Sequence, residues 1–90
     1  MKLTEGERGM LITWLPLEDM ALLALGLPLN EEVKRVLDAL LAGERVAVRP
    51  DAFEYRKFCR TAPRGMYQKF VSMERTLREM GVVRGGREEG

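Results

Sequence analysis

The sequence predicts a small α/β fold, a strand-helix-helix-strand-helix-helix unit with two short parallel strands. Two apolar runs that contain β-branched residues, 10–15 and 45–48, are separated by about 30 residues with a helical pattern. Two further helical segments follow. Strands joined by a helical crossover of this length pair in parallel, with a right-handed connection. Ninety residues are enough for one domain.

The first strand and the first helix are both strongly apolar. Residues 10–15 (MLITWL) form a continuous apolar run closed by a proline, which is typical of a strand buried on both faces. Glu18 and Asp19 stand where the first turn of a helix favours negative charge. Residues 20–25 continue this helix with apolar side chains on all sides, and Gly26 is a natural end for it. We therefore expect the helix to be buried.

The second helix has the clearest signals. Asn30 is a favourable N-cap and Gly43 is a natural terminator. Between them, apolar residues recur at the spacing of one helix face, which we expect to face the core. These residues are Val33, Val36, Leu37, Leu40 and Leu41.

The C-terminal half is expected to add two more helices. Asp51 can cap the first of them while Glu54 reaches back to the cap. Pro63 suits the first turn of the second. The last helix has an apolar face with a 4-3-4-3 spacing, which we expect to pack in the core. It consists of Met66, Phe70, Met73, Leu77 and Met80.

The polar segments at both ends are expected to be flexible. Residues 1–9 and 84–90 carry few apolar side chains, so the single folded domain is predicted to span 10–83. Two parallel strands leave two unpaired edges, which additional strands or another chain normally cover. We therefore expect a homo-oligomer or a partner protein.

The charge is small in total and uneven in distribution. The net charge is +1, so no overall field attracts nucleic acid or a membrane surface. Residues 1–48 hold 5 basic and 8 acidic side chains, a net −3, and residues 49–90 hold 10 and 6, a net +4. Such a polarity suits head-to-tail association.

The chain has one cysteine, no histidine and no apolar run of membrane-spanning length. A lone Cys59 excludes an internal disulfide, and the missing histidine removes the commonest zinc ligand and the commonest general base. No secretory signal is recognisable. The sequence therefore predicts a cytoplasmic protein with no metal site.

Three segments in a fixed order resemble a known family. They are ALLALGLPLNEEVKRVLDALLAGERVAV (21–48), EYRKF..TAP..MY (54–67) and LREMGV (77–82). Together they resemble the C-terminal half of the flavoprotein domain, in the form encoded beside ethanolamine- and propanediol-utilisation microcompartment genes. The resemblance covers about residues 10–83. It implies half of a doubly wound, three-layer fold and a link to a bacterial microcompartment.

The resemblance also implies where FMN would bind. In flavin-binding members, small hydroxyl and amide residues after the proline hold the FMN phosphate at a helix N-terminus. Here the corresponding positions are Pro16, Leu17 and Glu18, followed by Asp19. Two carboxylates repel a phosphate, so we expect that flavin binding has been lost and that no cofactor is bound.

Other candidate sites have plainer structural explanations. Glu18 and Asp19 could act as an acid–base pair or bind Mg²⁺, but they also complement a helix dipole. Cys59 could be a reactive thiolate among cations, or a partly buried structural residue. Basic side chains interleaved with aromatic ones form a candidate interaction surface, for protein or for nucleic acid. Its members are Arg56, Lys57, Arg60, Arg64 and Lys69.

The sequence thus favours a non-catalytic accessory or assembly protein that acts by protein–protein association. An FMN-binding subunit with its site completed at an oligomer interface is the first alternative. A small nucleic-acid-binding module is the second.

Overall fold

A computed structural model describes residues 1–85 and confirms the α/β class. The regular elements are β1 (Lys2–Gly6), β2 (Gly9–Trp14), α1 (Leu17–Leu25), α2 (Glu31–Leu41), β3 (Val46–Val48), α3 (Arg64–Glu79) and β4 (Val83–Arg84). Two short 3₁₀ helices, Pro50–Ala52 and Glu54–Phe58, lie between β3 and α3. No helix in this part of the chain is both long enough and apolar enough to cross a membrane.

The four strands form one mixed sheet in the order β1-β2-β3-β4. The predicted parallel pairing of β2 with β3 is confirmed, with Met10 opposite Val46 and Ile12 opposite Val48. β4 adds a second parallel pair, and β1 pairs antiparallel with β2. The sheet therefore has four strands where the sequence predicted two.

The two added strands lie in segments that were predicted to be flexible. Residues 1–9 contain the edge strand β1, whose sequence KLTEG has no apolar alternation because it is almost wholly exposed. Its strand structure depends on backbone pairing with β2. Arg84, assigned to the flexible tail, belongs to β4. The rest of that predicted tail from residue 86 on lies outside the described residues.

A tight turn joins β1 to β2, and Gly9 is essential to it. Gly9 has a φ of +112°, and a Cβ there would lie 2.3 Å from the carbonyl oxygen of Arg45. The next amide, Met10 N, donates to that same oxygen over 2.9 Å. Only glycine lets β2 approach the start of β3 this closely.

All three α-helices cover the same face of the sheet. The connections β2–β3 and β3–β4 step in the same direction, so right-handed crossovers place their helices on one side. Met10 and Ile12 point into the core, whereas Leu11 and Thr13, which alternate with them, stay partly exposed. β2 is therefore fully buried on one face and only partly on the other, where the sequence predicted burial on both.

The segment after β3 differs most from its predicted helix. Its backbone bonds to the end of β2: Leu15 N donates to Ala52 O over 2.8 Å, and Glu54 N donates to Leu15 O over 3.1 Å. These bonds hold the segment in two 3₁₀ turns. The Glu54 carboxylate does not cap its own segment but accepts the amide of Leu17 at the start of α1, over 3.0 Å.

Three residues that helical periodicity assigns to the core are exposed. Leu25 is 69% exposed, Leu41 87% and Met66 55%. Leu25 and Leu41 are the last residues of their helices, and Met66 is the third residue of α3. The core ends before these helices do.

Candidate functional site

An apolar groove with aromatic walls lies at the carboxyl ends of β2 and β3. In open α/β sheets this is the edge where ligands bind. The groove has a volume of about 150 Å³, similar to apolar cavities that take up a benzene-sized group. We call it the aromatic groove, and its lining residues are Leu17, Tyr55, Phe58, Ala62, Met66, Tyr67 and Phe70.

Tyr55 forms one wall of the groove, where ring contacts and a hydrogen bond of its hydroxyl hold it in place. Its ring stacks on Phe70 with centroids 5.9 Å apart and tilts against Tyr67 at 5.3 Å. Its hydroxyl donates to the buried carboxylate of Glu74 on α3. Burial and this hydrogen bond raise the pKa of Tyr55 from 10.0 to about 12.

Glu74 is a buried charge with three partners. Besides the Tyr55 hydroxyl, its carboxylate accepts Arg56 Nη2 at 2.8 Å and Arg78 Nη2 at 3.0 Å. Burying a charged side chain is costly unless it is paired, and Glu74 is only 8% exposed. The cluster attaches the segment 54–58 to α3 and is therefore structural.

The five predicted interaction residues fall into two groups. Arg56 has a structural role, because besides binding Glu74 it donates to Pro50 O over 3.1 Å and lies over the Phe53 ring. Lys57 lies over the Trp14 ring, 5.1 Å from its centroid. The remaining three are exposed on the groove side of the chain: Arg60, Arg64 and Lys69.

These five basic residues lie close in the sequence to the residues that line the aromatic groove. Each of the five lies within two residues of a groove-lining side chain. Residues 55–73 contain all five and no aspartate or glutamate. By the same measure, Glu18 and Glu54 lie next to the lining residues Leu17 and Tyr55, so the residues that border the groove in sequence are of both signs.

The residues at the predicted phosphate site do not fit a phosphate. The amide of Leu17, the first helical N–H after Pro16, is already bonded to the Glu54 carboxylate. Glu18 adds a second carboxylate in the same turn. Two negative groups occupy the position where the helix terminus would attract the FMN phosphate.

Asp19 and Cys59 also occupy structural or peripheral positions. The Asp19 carboxylate is buried and binds Asn30 Nδ2 at 3.0 Å and the α-amino group of Met1 at 2.9 Å. These bonds join the starts of β1, α1 and α2. Cys59 is exposed, at the end of the second 3₁₀ helix, and not half-buried as predicted.

A second apolar surface lies at the opposite ends of the helices. Four exposed leucines form it, which we call the leucine patch: Leu25, Leu27, Leu29 and Leu41. Beside it is a cavity of about 410 Å³, lined by Gly26 after α1, Leu41 at the end of α2 and Met80 after α3. All three helix C-termini therefore converge at this surface.

The charged side chains near the leucine patch are of both signs. Asp38 lines the cavity beside the patch and pairs with Lys34 over 2.9 Å. Glu79 ends α3 next to Arg78, whose guanidinium bonds Glu74. Glu32 lies at the other end of α2, in its first turn, 3.7 Å from the α-amino group of Met1.

Side chains offset part of the helix dipoles at both surfaces. α1 and α3 begin at the aromatic groove and end near the cavity beside the leucine patch. Helix N-termini carry partial positive charge and C-termini partial negative charge. Glu18 and the Glu54 carboxylate counter the positive end of α1, and Arg78 lies in the last turn of α3.

Comparisons with known protein families, curated proteins and solved structures found no match to this chain. The microcompartment flavoprotein resemblance therefore stays a prediction from the sequence.

The sequence interpretation missed the leucine patch. A signal was present, because residues 25–29 (LGLPL) place three leucines in a stretch punctuated by Gly26 and Pro28. Glycine and proline indicate a loop, and loops of soluble domains are normally polar. An apolar loop of this kind indicates a contact surface or a core segment. Here it is exposed.

Proposed function

We propose that this protein is a non-catalytic accessory or assembly protein that acts by protein–protein association. The observation that carries the proposal is the leucine patch. Its leucines are 40–87% exposed and contiguous with a 410 Å³ apolar cavity. Single exposed apolar residues are ordinary on a protein surface, whereas a group of large ones beside a cavity is typical of an interaction site.

Burial of these leucines provides the driving force. Fully burying one leucine side chain contributes about 1.5–3 kcal/mol. Two or three such anchors supply about 3–9 kcal/mol, a large part of the cost of association of about 4–15 kcal/mol, which makes the patch the expected centre of the interface.

The test uses a double variant, Leu25→Asn with Leu41→Asn, which we call the patch variant. Both positions are the last residue of a helix, where asparagine is tolerated. Light scattering at micromolar concentration is expected to give a mass above 10.3 kDa for the wild type and 10.3 kDa for the patch variant.

The control is Val83→Asn, which replaces an aliphatic residue that is 43% exposed on β4, outside both surfaces. It is expected to associate like the wild type. A wild-type protein that stays at 10.3 kDa throughout contradicts the proposal.

A nucleic-acid-binding module is the second candidate, favoured by the cationic segment 55–73. It predicts salt-sensitive retention on heparin or RNA. Replacing Lys57, Arg60 and Arg64 by alanine tests it, because these side chains hold no carboxylate of residues 1–85 in place. Retention unchanged in the triple variant, or absent in the wild type, contradicts this function.

The link to a bacterial microcompartment depends on the sequence resemblance alone. It predicts that the protein co-purifies with shell or cargo proteins of such a compartment. Isolated compartments that lack the protein contradict the link without affecting the association itself.

A further inference from the structure

We propose that the arginines around Glu74 bind the phosphate group of a small phosphorylated molecule, at the carboxyl ends of β3 and β4. The site is separate from the leucine patch and does not depend on the association proposed above. Its basis is a pair of cavities that share Arg56, Glu74 and Arg78 among their lining residues.

The first cavity, which we call the phosphate pocket, is a recess at the carboxyl edge of the sheet. It lies beside Val48, the last residue of β3, and Arg84, the last residue of β4. Ligands of open α/β sheets bind at this edge. The volume is about 80 Å³, several times what one water molecule requires. Apolar side chains line much of the rest of it: Pro50, Phe53, Leu77, Val82 and Val83.

The second cavity borders the same cluster of side chains. It has a volume of about 200 Å³, and Arg75 on α3 adds a further guanidinium to its wall. Because the two cavities share three lining residues, they are adjacent. A ligand with its phosphate in the phosphate pocket therefore has room for a second phosphoryl group beside Arg75.

The charge on the walls of the two cavities favours an anion. Within residues 1–85, four arginines and one carboxylate line them, a net charge of +3. Three other carboxylates are close in the sequence but line neither cavity. They are Asp51, which pairs with Arg49, Glu54, which bonds the Leu17 amide, and Glu79, which ends α3.

Glu74 orients two of these arginines without occupying all their donors. Its Oε2 accepts Arg56 Nη2 at 2.8 Å and Arg78 Nη2 at 3.0 Å. A guanidinium has five N–H donors, and the bonds within residues 1–85 leave most of those on Arg78 available. Side chains that are held in place before a ligand arrives lose less entropy when it binds.

Arg75 and Arg84 are available to a ligand for a different reason. Both are exposed, and neither forms a hydrogen bond or an ion pair with any of residues 1–85. The planar fork of an arginine matches two phosphate oxygens at once. Each can therefore turn to a phosphate without breaking a contact of the fold.

The shape of the site favours a single phosphorylated group over a nucleic-acid backbone. The phosphate pocket is small, and its apolar wall includes Leu77 and Val82, which are almost wholly buried. Proteins that bind single-stranded nucleic acid use cations along an extended groove, with aromatic side chains that stack on the bases. A recess of about 80 Å³ suits one terminal phosphate.

Isothermal titration calorimetry with inorganic phosphate and with pyrophosphate tests the site. The wild type is expected to bind both, and pyrophosphate more tightly, because its second phosphoryl group reaches Arg75. Arg84→Gln is expected to raise the dissociation constants of both probes about tenfold, since a charge-assisted contact is lost. Arg75→Gln is expected to raise that of pyrophosphate alone.

The matched control is Arg60→Gln, which removes the same charge from an exposed arginine that lines neither cavity. It is expected to bind both probes like the wild type. The three replaced side chains are exposed, so the fold is expected to persist, and circular dichroism melting checks this.

Three results would overturn the proposal. The first is a wild-type dissociation constant for pyrophosphate above about 1 mM. The second is an equal loss in the Arg60 and Arg84 variants, which indicates attraction to positive charge in general. The third is RNA binding that Arg84→Gln weakens when neither probe binds, which assigns the arginines to a nucleic acid. The patch variant is expected to bind both probes like the wild type, so a failure of the proposed association leaves this test unaffected.

Discussion

Glu54 shows how one side chain can serve an element other than its own. The sequence places it three residues after Asp51, the spacing of a capping box. In the structure its carboxylate caps α1 through the amide of Leu17, while Asp51 pairs with Arg49 at the surface over 3.2 Å. The backbone bonds between Leu15 and its neighbours in the 3₁₀ segment bring Glu54 to that position.

Glu54→Ala is therefore expected to lower the free energy of unfolding by about 1–2 kcal/mol, because a partly buried helix terminus loses its cap. Asp51→Ala is the control, with an expected change within about 0.5 kcal/mol, since its pair is exposed. Urea denaturation measures both. Equal losses would support the capping box that the sequence predicted and contradict the observed contact.

Tyr55 provides a prediction about alkaline stability. Its pKa is raised to about 12 in the folded protein, first by burial and then by the Glu74 carboxylate. The unfolded chain loses this proton near pH 10.0, so the native state binds it more tightly. The stabilisation is complete below pH 10.0 and is lost as pH rises from there to about 12.

A Tyr67→Phe variant leaves Tyr55 as the one tyrosine, so the ultraviolet absorbance of tyrosinate reports it directly. We expect the absorbance to rise together with the loss of the circular dichroism signal. Ionisation with a midpoint at pH 10.0 in a protein that is still folded would contradict the buried contact with Glu74.

Among the elements, the β1–β2 hairpin depends most on a single residue. Gly9→Ala is expected to lower the free energy of unfolding by about 2–3 kcal/mol, because it combines a positive φ with a collision against Arg45 O. Gly6→Ala, in the same hairpin, meets no atom within 4 Å and is the matched control. Thermal melting that shifts equally for both contradicts the close approach of β2 to β3.

The elements show what periodicity can and cannot predict. The stripe of α2 and the parallel β2–β3 pair follow from local apolar spacing, so both were predicted. β1 was missed because an exposed edge strand is held by backbone pairing, which the side chains of KLTEG do not record. The helix predicted to begin at Asp51 was wrong, because backbone bonds to the end of β2, distant in sequence, hold residues 50–58 in 3₁₀ turns.

The candidate site was predictable in part for a related reason. The basic segment that borders the groove is visible in the sequence, and so is the opposite charge of the two halves. The leucine patch was not predicted, because Leu25 and Leu41 follow the core pattern and differ from core residues only in being the last residues of their helices. Periodicity identifies which face of a helix is apolar, but not which residues of that face are buried by the rest of the fold.

At the scale of the whole molecule, one apolar surface lies at each end of α3. Met66 near its start lines the aromatic groove, and Met80 after its last residue lines the cavity beside the leucine patch. The proposed association depends on the second surface, where the large apolar side chains are most exposed.

Association through the leucine patch should not weaken with salt, because burial of apolar side chains is not screened. The Debye length falls from about 10 Å at 0.1 M to about 3 Å at 1 M ionic strength, so a contact between opposite charges would weaken over that range. Light scattering measures the apparent dissociation constant at both salt concentrations. A dissociation constant that rises with salt would contradict an apolar contact as the centre of the interface.

Sedimentation equilibrium of the wild-type protein over a wide concentration range is the most direct test of the central claim. The average mass is expected to rise above 10.3 kDa with concentration, and to stay at 10.3 kDa in the patch variant, because the exposed leucines drive the association. A wild-type mass fixed at 10.3 kDa, or a patch variant that associates like the wild type, contradicts association through the leucine patch.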